Sequence, residues 1–80
     1  MNFRVRAIGA DFEANGEGSE YISADVARRA AVKSAVAIAL DEIDKGKNSS
    51  IIEINIREGA GSVERYVVAL SVERLPPSSD

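Results

Sequence analysis

The 80-residue chain contains no histidine, no cysteine and no tryptophan. Without histidine it lacks the side chain that ordinarily moves protons near neutral pH. Without cysteine it lacks disulfides, the most readily ionised nucleophile and a principal soft metal ligand. The serine route that dispenses with histidine needs a serine three residues before a lysine, but Ala30, Glu42 and Asp44 stand three before Lys33, Lys45 and Lys47. Paired carboxylates, which suffice for glycosidases, would still need a substrate cleft, and a domain of this size with one helix offers little room for it. The expectation is a protein with no catalytic residue, no metal ligand and no cofactor.

Long apolar runs are missing too. The longest is Ala35 to Leu40, far short of the roughly 20 residues of a membrane span. Met1-Asn2-Phe3-Arg4-Val5-Arg6 has charge inside its apolar run, unlike a secretory leader. These absences predict a soluble cytoplasmic protein without membrane contact, which makes the glycosylation sequon Asn48-Ser49-Ser50 accidental. The lack of cysteine is compatible with a reducing cytosol.

What is present describes a small globular domain. Apolar residues make up 45% of the chain and charged residues 29%, inside the folded range. The net charge of −3 is segregated: Asp11, Glu13, Glu17, Glu20 and Asp25 succeed one another with no base between them, and Arg28, Arg29 and Lys33 follow. A net acidic chain has no long-range field for nucleic acid, although a local basic patch can still hold one.

Phe3, Val5 and Ala7 alternate with Arg4 and Arg6, the period of a strand with one buried face. Gly9 to Gly18 reads as a loop, followed by a short strand at Glu20 to Ile22. Ser23 is a helix N-cap and Asp25 places negative charge in the first turn. The helix is predicted from Ala24 to about Lys45, with Val32, Val36, Ala39, Leu40 and Ile43 on its apolar stripe and Gly46 as its terminator. Ile52, Ile54 and Ile56 alternate with Glu53, Asn55 and Arg57; a Gly59–Gly61 turn follows; then Tyr66, Val68, Leu70 and Val72 alternate again. This is a β-hairpin. Pro76 and Pro77 end the strand.

The resulting fold class is α+β: a two-layer ββαββ domain over residues 1–75, with one long helix on one face of a mainly antiparallel sheet and a disordered tail at 76–80. The uncovered sheet face is expected to carry Arg4, Arg6, Glu53, Asn55, Arg57, Arg65, Val67, Ala69, Ser71 and Glu73.

Glu17-Gly18-Ser19-Glu20-Tyr21, with Ser23 and Val26-Ala27-Arg28-Arg29-Ala30-Ala31 after it, resembles a family of small uncharacterised bacterial domains. Its members consist of a strand, an acidic EG-x-E turn, a capped alanine-rich helix and a closing hairpin. The resemblance implies a bacterial source and this fold, and it brings no functional residue. The hairpin Ile51–Arg57 and Glu64–Val72 also resembles that of dodecins. Dodecins stack their flavin on a tryptophan, so that resemblance implies topology without the cofactor.

Asp11-x-Glu13-x-Asn15-Gly16 spaces oxygen ligands like the start of a calcium loop, but Ile22 stands where the bidentate glutamate belongs. Gly16-x-Gly18 and Gly59-x-Gly61 do not complete a phosphate-loop pattern and read as turns. Two binding readings remain. A cysteine-free domain of this size has only about 3–5 kcal/mol of net stability to draw on, and burying its free sheet face or edge against another copy would add to it. This predicts a protein–protein interaction module, a homodimer, with Arg4, Arg6, Val67 and Ala69 as interface residues. The alternative is a nucleic-acid-binding accessory protein that uses the basic sheet face around Arg4 and Arg6, joined by Arg57 and Arg65.

Overall fold

The computed structural model describes residues 1–16 and 18–78. Five strands and one helix follow in the order β1 (Asn2–Ile8), β2 (Glu13–Asn15), β3 (Ser19–Glu20), α1 (Ala24–Asp44), β4 (Ser49–Glu58) and β5 (Val63–Ser71). The sheet is antiparallel throughout, in the order β2-β1-β4-β5, with β3 also pairing β1. The domain is α+β with the helix packed against the sheet.

The segment read as a loop from Gly9 to Gly18 contains strand β2. Glu13, Ala14 and Asn15 have low strand propensity, but they pair with Ile8, Ala7 and Arg6. β3 pairs Ser19 and Glu20 with Phe3 and Asn2, so β2 and β3 are two pieces of one edge on β1. The second strand therefore begins and ends earlier than Glu20 to Ile22. Glu17, part of the EG-x-E motif, lies outside the described residues.

Ser23 has extended backbone angles and its hydroxyl accepts from the Val26 amide at 3.2 Å. It satisfies one of the free donors of the first turn. Ser23→Ala should lower stability by about 1 kcal/mol, read as a shift in the urea midpoint; an unchanged midpoint would mean that water replaces the cap. At the other end Gly46 takes a φ of 103° and its amide donates to the Ile43 carbonyl at 3.0 Å, which closes the helix with a residue that tolerates left-handed backbone. The pairs Asp25–Arg29 and Asp41–Lys45 form at 3.2 and 2.8 Å.

Of the expected stripe Ala39 is buried against the sheet, but the phase of the helix otherwise differs. Ala27, Ala31, Ala35 and Ala39 are the residues that meet the sheet, and all four are buried. Val36 is 38% and Leu40 56% exposed; Val32 and Ile43 lie on the same flank, half-buried. The reason is volume. β4 already presents Ile52, Ile54 and Ile56 to the helix, with Phe3 of β1 beside them. A stripe of small side chains lets the helix approach this ridge closely, whereas valine and leucine would hold it away. Phe3 also packs edge-to-face on Tyr21, ring centroids 6.1 Å apart.

Beyond Ser71 the chain continues without regular structure to Ser78, its residues exposed. Ser79 and Asp80, part of the expected tail, lie outside the described residues. Glu73 belongs to this segment and not to the sheet face, because β5 ends at Ser71.

Candidate interaction surface

Alternation along each strand sends Phe3, Val5, Ala7, Ile52, Ile54, Ile56, Tyr66, Val68 and Leu70 toward the helix. Their neighbours form the uncovered face, and the register lays that face out in rows. One row is Val63, Arg57 and Arg4; the next is Arg65, Asn55, Arg6 and Asn15; the third is Val67, Glu53, Ile8 and Glu13; then come Ala69 with Ile51, and Ser71 with Ser49. The expected residues Arg4, Arg6, Val67 and Ala69 thus share one face. They occupy different corners of it, the arginines on β1 and the apolar pair on the outermost strand, with β4 between them.

The apolar corner includes Ile51, which the sequence reading left out. Ile51 is 63% and Val67 62% exposed, and Ala69 beside them is exposed too. The adjacent Ile51 and Ile52 carried the signal: successive residues of a strand face opposite sides, so one isoleucine of the doublet must point outward.

This corner borders a free edge. β5 is the last strand of the order, and among the described residues no backbone hydrogen bond reaches its outer side. Soluble proteins normally protect such an edge with lysines, prolines, bulges or short strands. β5 runs for nine residues, Val63 to Ser71, has charges only at Glu64 and Arg65, contains no proline and has Tyr66-Val67-Val68-Ala69-Leu70 uninterrupted at its centre. On the helix side Tyr66, Val68 and Leu70 are only half-buried.

Many charges of the domain are paired. Arg65 donates to both Glu53 oxygens, at 3.0 and 3.3 Å, and Arg6 pairs with Glu13 across the edge of the sheet. Arg28 and Arg29 of the helix both reach Asp25. Lys47 ties Asp11 to Glu42, at 3.2 and 3.0 Å, so the acidic residues of the calcium-like segment, Asp11 and Glu13, are held by cations of the chain itself. Arg4 and Arg57 are different: directly opposite each other in the register, they have no carboxylate partner among the described residues.

The hydrogen bonds from Arg65, with its positive charge, hold the Glu53 carboxyl below its ordinary value against an opposing desolvation. A carboxylate with a lowered folded-state pKa stabilises the fold above its unfolded-state value of about 4.3 and loses that contribution as pH falls through the folded value. Arg65→Gln should therefore move the Glu53 titration upward, as read by carboxyl carbon NMR. An unmoved titration would show that Arg65 is not the cause.

No helix of the described residues is long and apolar enough to cross a membrane. No protein-family model matches the chain, and no curated protein or solved structure compared with it does either.

Proposed function

We propose that the protein is a non-catalytic protein–protein interaction module of the bacterial cytoplasm whose first partner is a second copy of itself, joined β5 to β5. The observation that carries this reading is the unprotected β5 edge with its exposed apolar corner. The size of the unburied surface supports it. The chain exposes 5992 Å², about 1,300 Å² more than a compact monomer of its mass, whereas a standard interface covers roughly 800 Å² per partner. Its radius of gyration is 15.6 Å against about 12 Å for a compact chain of this length; the extended segment after Ser71 contributes to both excesses.

Antiparallel pairing of two β5 strands about a two-fold axis at Val67, the middle of the strand, sets Val67 against its own copy. Tyr66 then meets Val68, Arg65 meets Ala69 and Glu64 meets Leu70, so no charge faces a like charge. The joined sheet runs β2-β1-β4-β5 and back, and the two free edges close on each other.

A non-catalytic role is supported by where the perturbed titrations fall. Lys45, Lys47, Glu53 and Arg65 are all surface groups in ion pairs, shifted by their partners, which is the signature of charge pairing and not of an activated acid or base. The nucleic-acid alternative loses its stacking platform, because Phe3 and Tyr66 face the helix and two of the four sheet arginines, Arg6 and Arg65, are already neutralised.

Size-exclusion chromatography with light scattering tests the proposal. The expected result is a species of two-chain mass whose share grows with concentration; a strictly monomeric protein at high micromolar concentration overturns it.

A further inference from the structure

At the opposite corner from the apolar patch, the uncovered face has a shallow depression of about 320 Å³. Arg4, Arg57, Arg6, Asn15, Asn55 and Gly16 are among the residues that line it. Two features leave this corner chemically incomplete. Arg4 and Arg57 sit directly opposite each other on adjacent strands with no carboxylate partner among the described residues, an arrangement that costs stability in the free protein. The side-chain oxygen of Asn55 is also buried with no hydrogen-bond donor, but as an acceptor it calls for a donor that an anion does not carry, so the arginine pair alone points to the charge of a ligand here. The only other orphaned side-chain oxygen among the described residues is that of Ser50, whose partner in the register, Leu70, packs on the helix side.

We infer that this depression binds a small phosphate monoester, with the guanidinium groups of Arg4 and Arg57 clasping the phosphate. Two adjacent guanidinium groups match a dianion, and their forked donors suit phosphate oxygens. The surrounding charge favours one compact group over a polyanion. Glu13 and Glu53 stand two rows further along the face, and Glu20 flanks the other side, opposite Asn2. A nucleic-acid strand laid across the arginines finds no further free cation in either direction among the described residues of this face, because Arg6 and Arg65 are paired with Glu13 and Glu53, while a single phosphate needs only the pair. The volume is at the lower end of small-molecule sites, about 300 Å³.

Thermal unfolding and NMR titration with methyl phosphate test this at constant ionic strength and constant protein concentration, with sodium chloride as the reference salt. Methyl phosphate should raise the melting temperature and shift the Nε–H resonances of Arg4 and Arg57 saturably, leaving that of Arg65 in place. Arg57→Gln should act in opposite directions on the two readouts. It should raise the melting temperature of the free protein, because the like-charge pair is gone, and weaken methyl phosphate at least about tenfold. Arg65→Gln, on the same face but outside the depression, should leave the affinity unchanged.

Equal shifts from chloride, or undiminished binding by Arg57→Gln, overturn the inference. So does tighter binding of a short single-stranded oligonucleotide without terminal phosphate, which would assign the corner to a nucleic-acid backbone instead. The titration reads the same in a monomer or a dimer, so its outcome is independent of the β5 pairing.

Discussion

Val67→Lys should turn the dimer into a monomer, raising the dissociation constant by roughly a hundredfold or more. In the proposed pairing residue 67 lies opposite its own copy, so one substitution removes two buried valines and sets two ammonium groups face to face. Each valine is worth about 1.5 kcal/mol on full burial, and directly opposed like charges add to the loss. Val67 is 62% exposed in the single chain, so lysine there leaves the monomer fold intact, and the far-ultraviolet circular dichroism should not change. The mixing experiment is more discriminating. Val67→Lys and Val67→Glu should each be monomeric alone and form a one-to-one heterodimer together, because only a two-fold contact at position 67 sets one substitution against the other. A Val67→Lys protein that stays dimeric at low micromolar concentration would take the β5 edge out of the interface. Monomeric variants that do not recombine would place the two-fold axis elsewhere on the strand.

The same pairing makes stability depend on concentration. The core is thin: its buried apolar residues are Phe3, Ile52, Ile54, Ile56 and four alanines of the helix. Dimerisation stabilises the folded chain by mass action, so the charge-bearing variants should melt at lower temperature than the parent at high concentration and converge with it on dilution.

How much of this was legible depends on which physical signal each feature uses. β1 and the β4–β5 hairpin follow from alternation, because a sheet covered on one side must place apolar and polar residues on opposite faces. For that reason Val67 and Ala69 can be assigned to the open face without coordinates, and the Ile51–Ile52 doublet holds the same information. β2 left no such trace. Glu13-Ala14-Asn15 is a strand because β1 offers it an edge and Arg6 offers Glu13 a partner, and tertiary pairing overrides local propensity there. The arginine pair was hidden for a different reason: that Arg4 and Arg57 are both outward-facing follows from their strands, but that they are directly opposite is a matter of register, and register between distant strands is not written in either one.

The helix phase is where two readings of the same residues compete, and a pair of neighbouring substitutions separates them. The expected stripe of Val32, Val36, Ala39, Leu40 and Ile43 and the four-residue repeat of Ala27, Ala31, Ala35 and Ala39 share Ala39 and otherwise lie on adjacent flanks of one helix. If the bulk of the apolar side chains set the phase, Leu40 would be at the centre of the core and Ala39 at its margin. In the fold Ala39 is fully buried against the sheet and Leu40 is 56% exposed. Ala39→Leu should therefore be severe: three added carbons must fit between the helix and the isoleucine ridge of β4, at a cost of about 1–3 kcal/mol. That is a large share of the roughly 3–5 kcal/mol available to a domain of this size, so much of the variant should be unfolded near 37 °C. Leu40→Ala removes more apolar surface from the sequence yet little from the core, and its cost should stay below about 1 kcal/mol. Urea unfolding of both variants in the Val67→Lys background, where association does not add to stability, gives the order directly. A larger loss from Leu40→Ala than from Ala39→Leu would mean that the helix is turned by roughly a quarter to a third of a turn, at about 100° per residue, and that the valine and leucine flank is the one that meets the sheet.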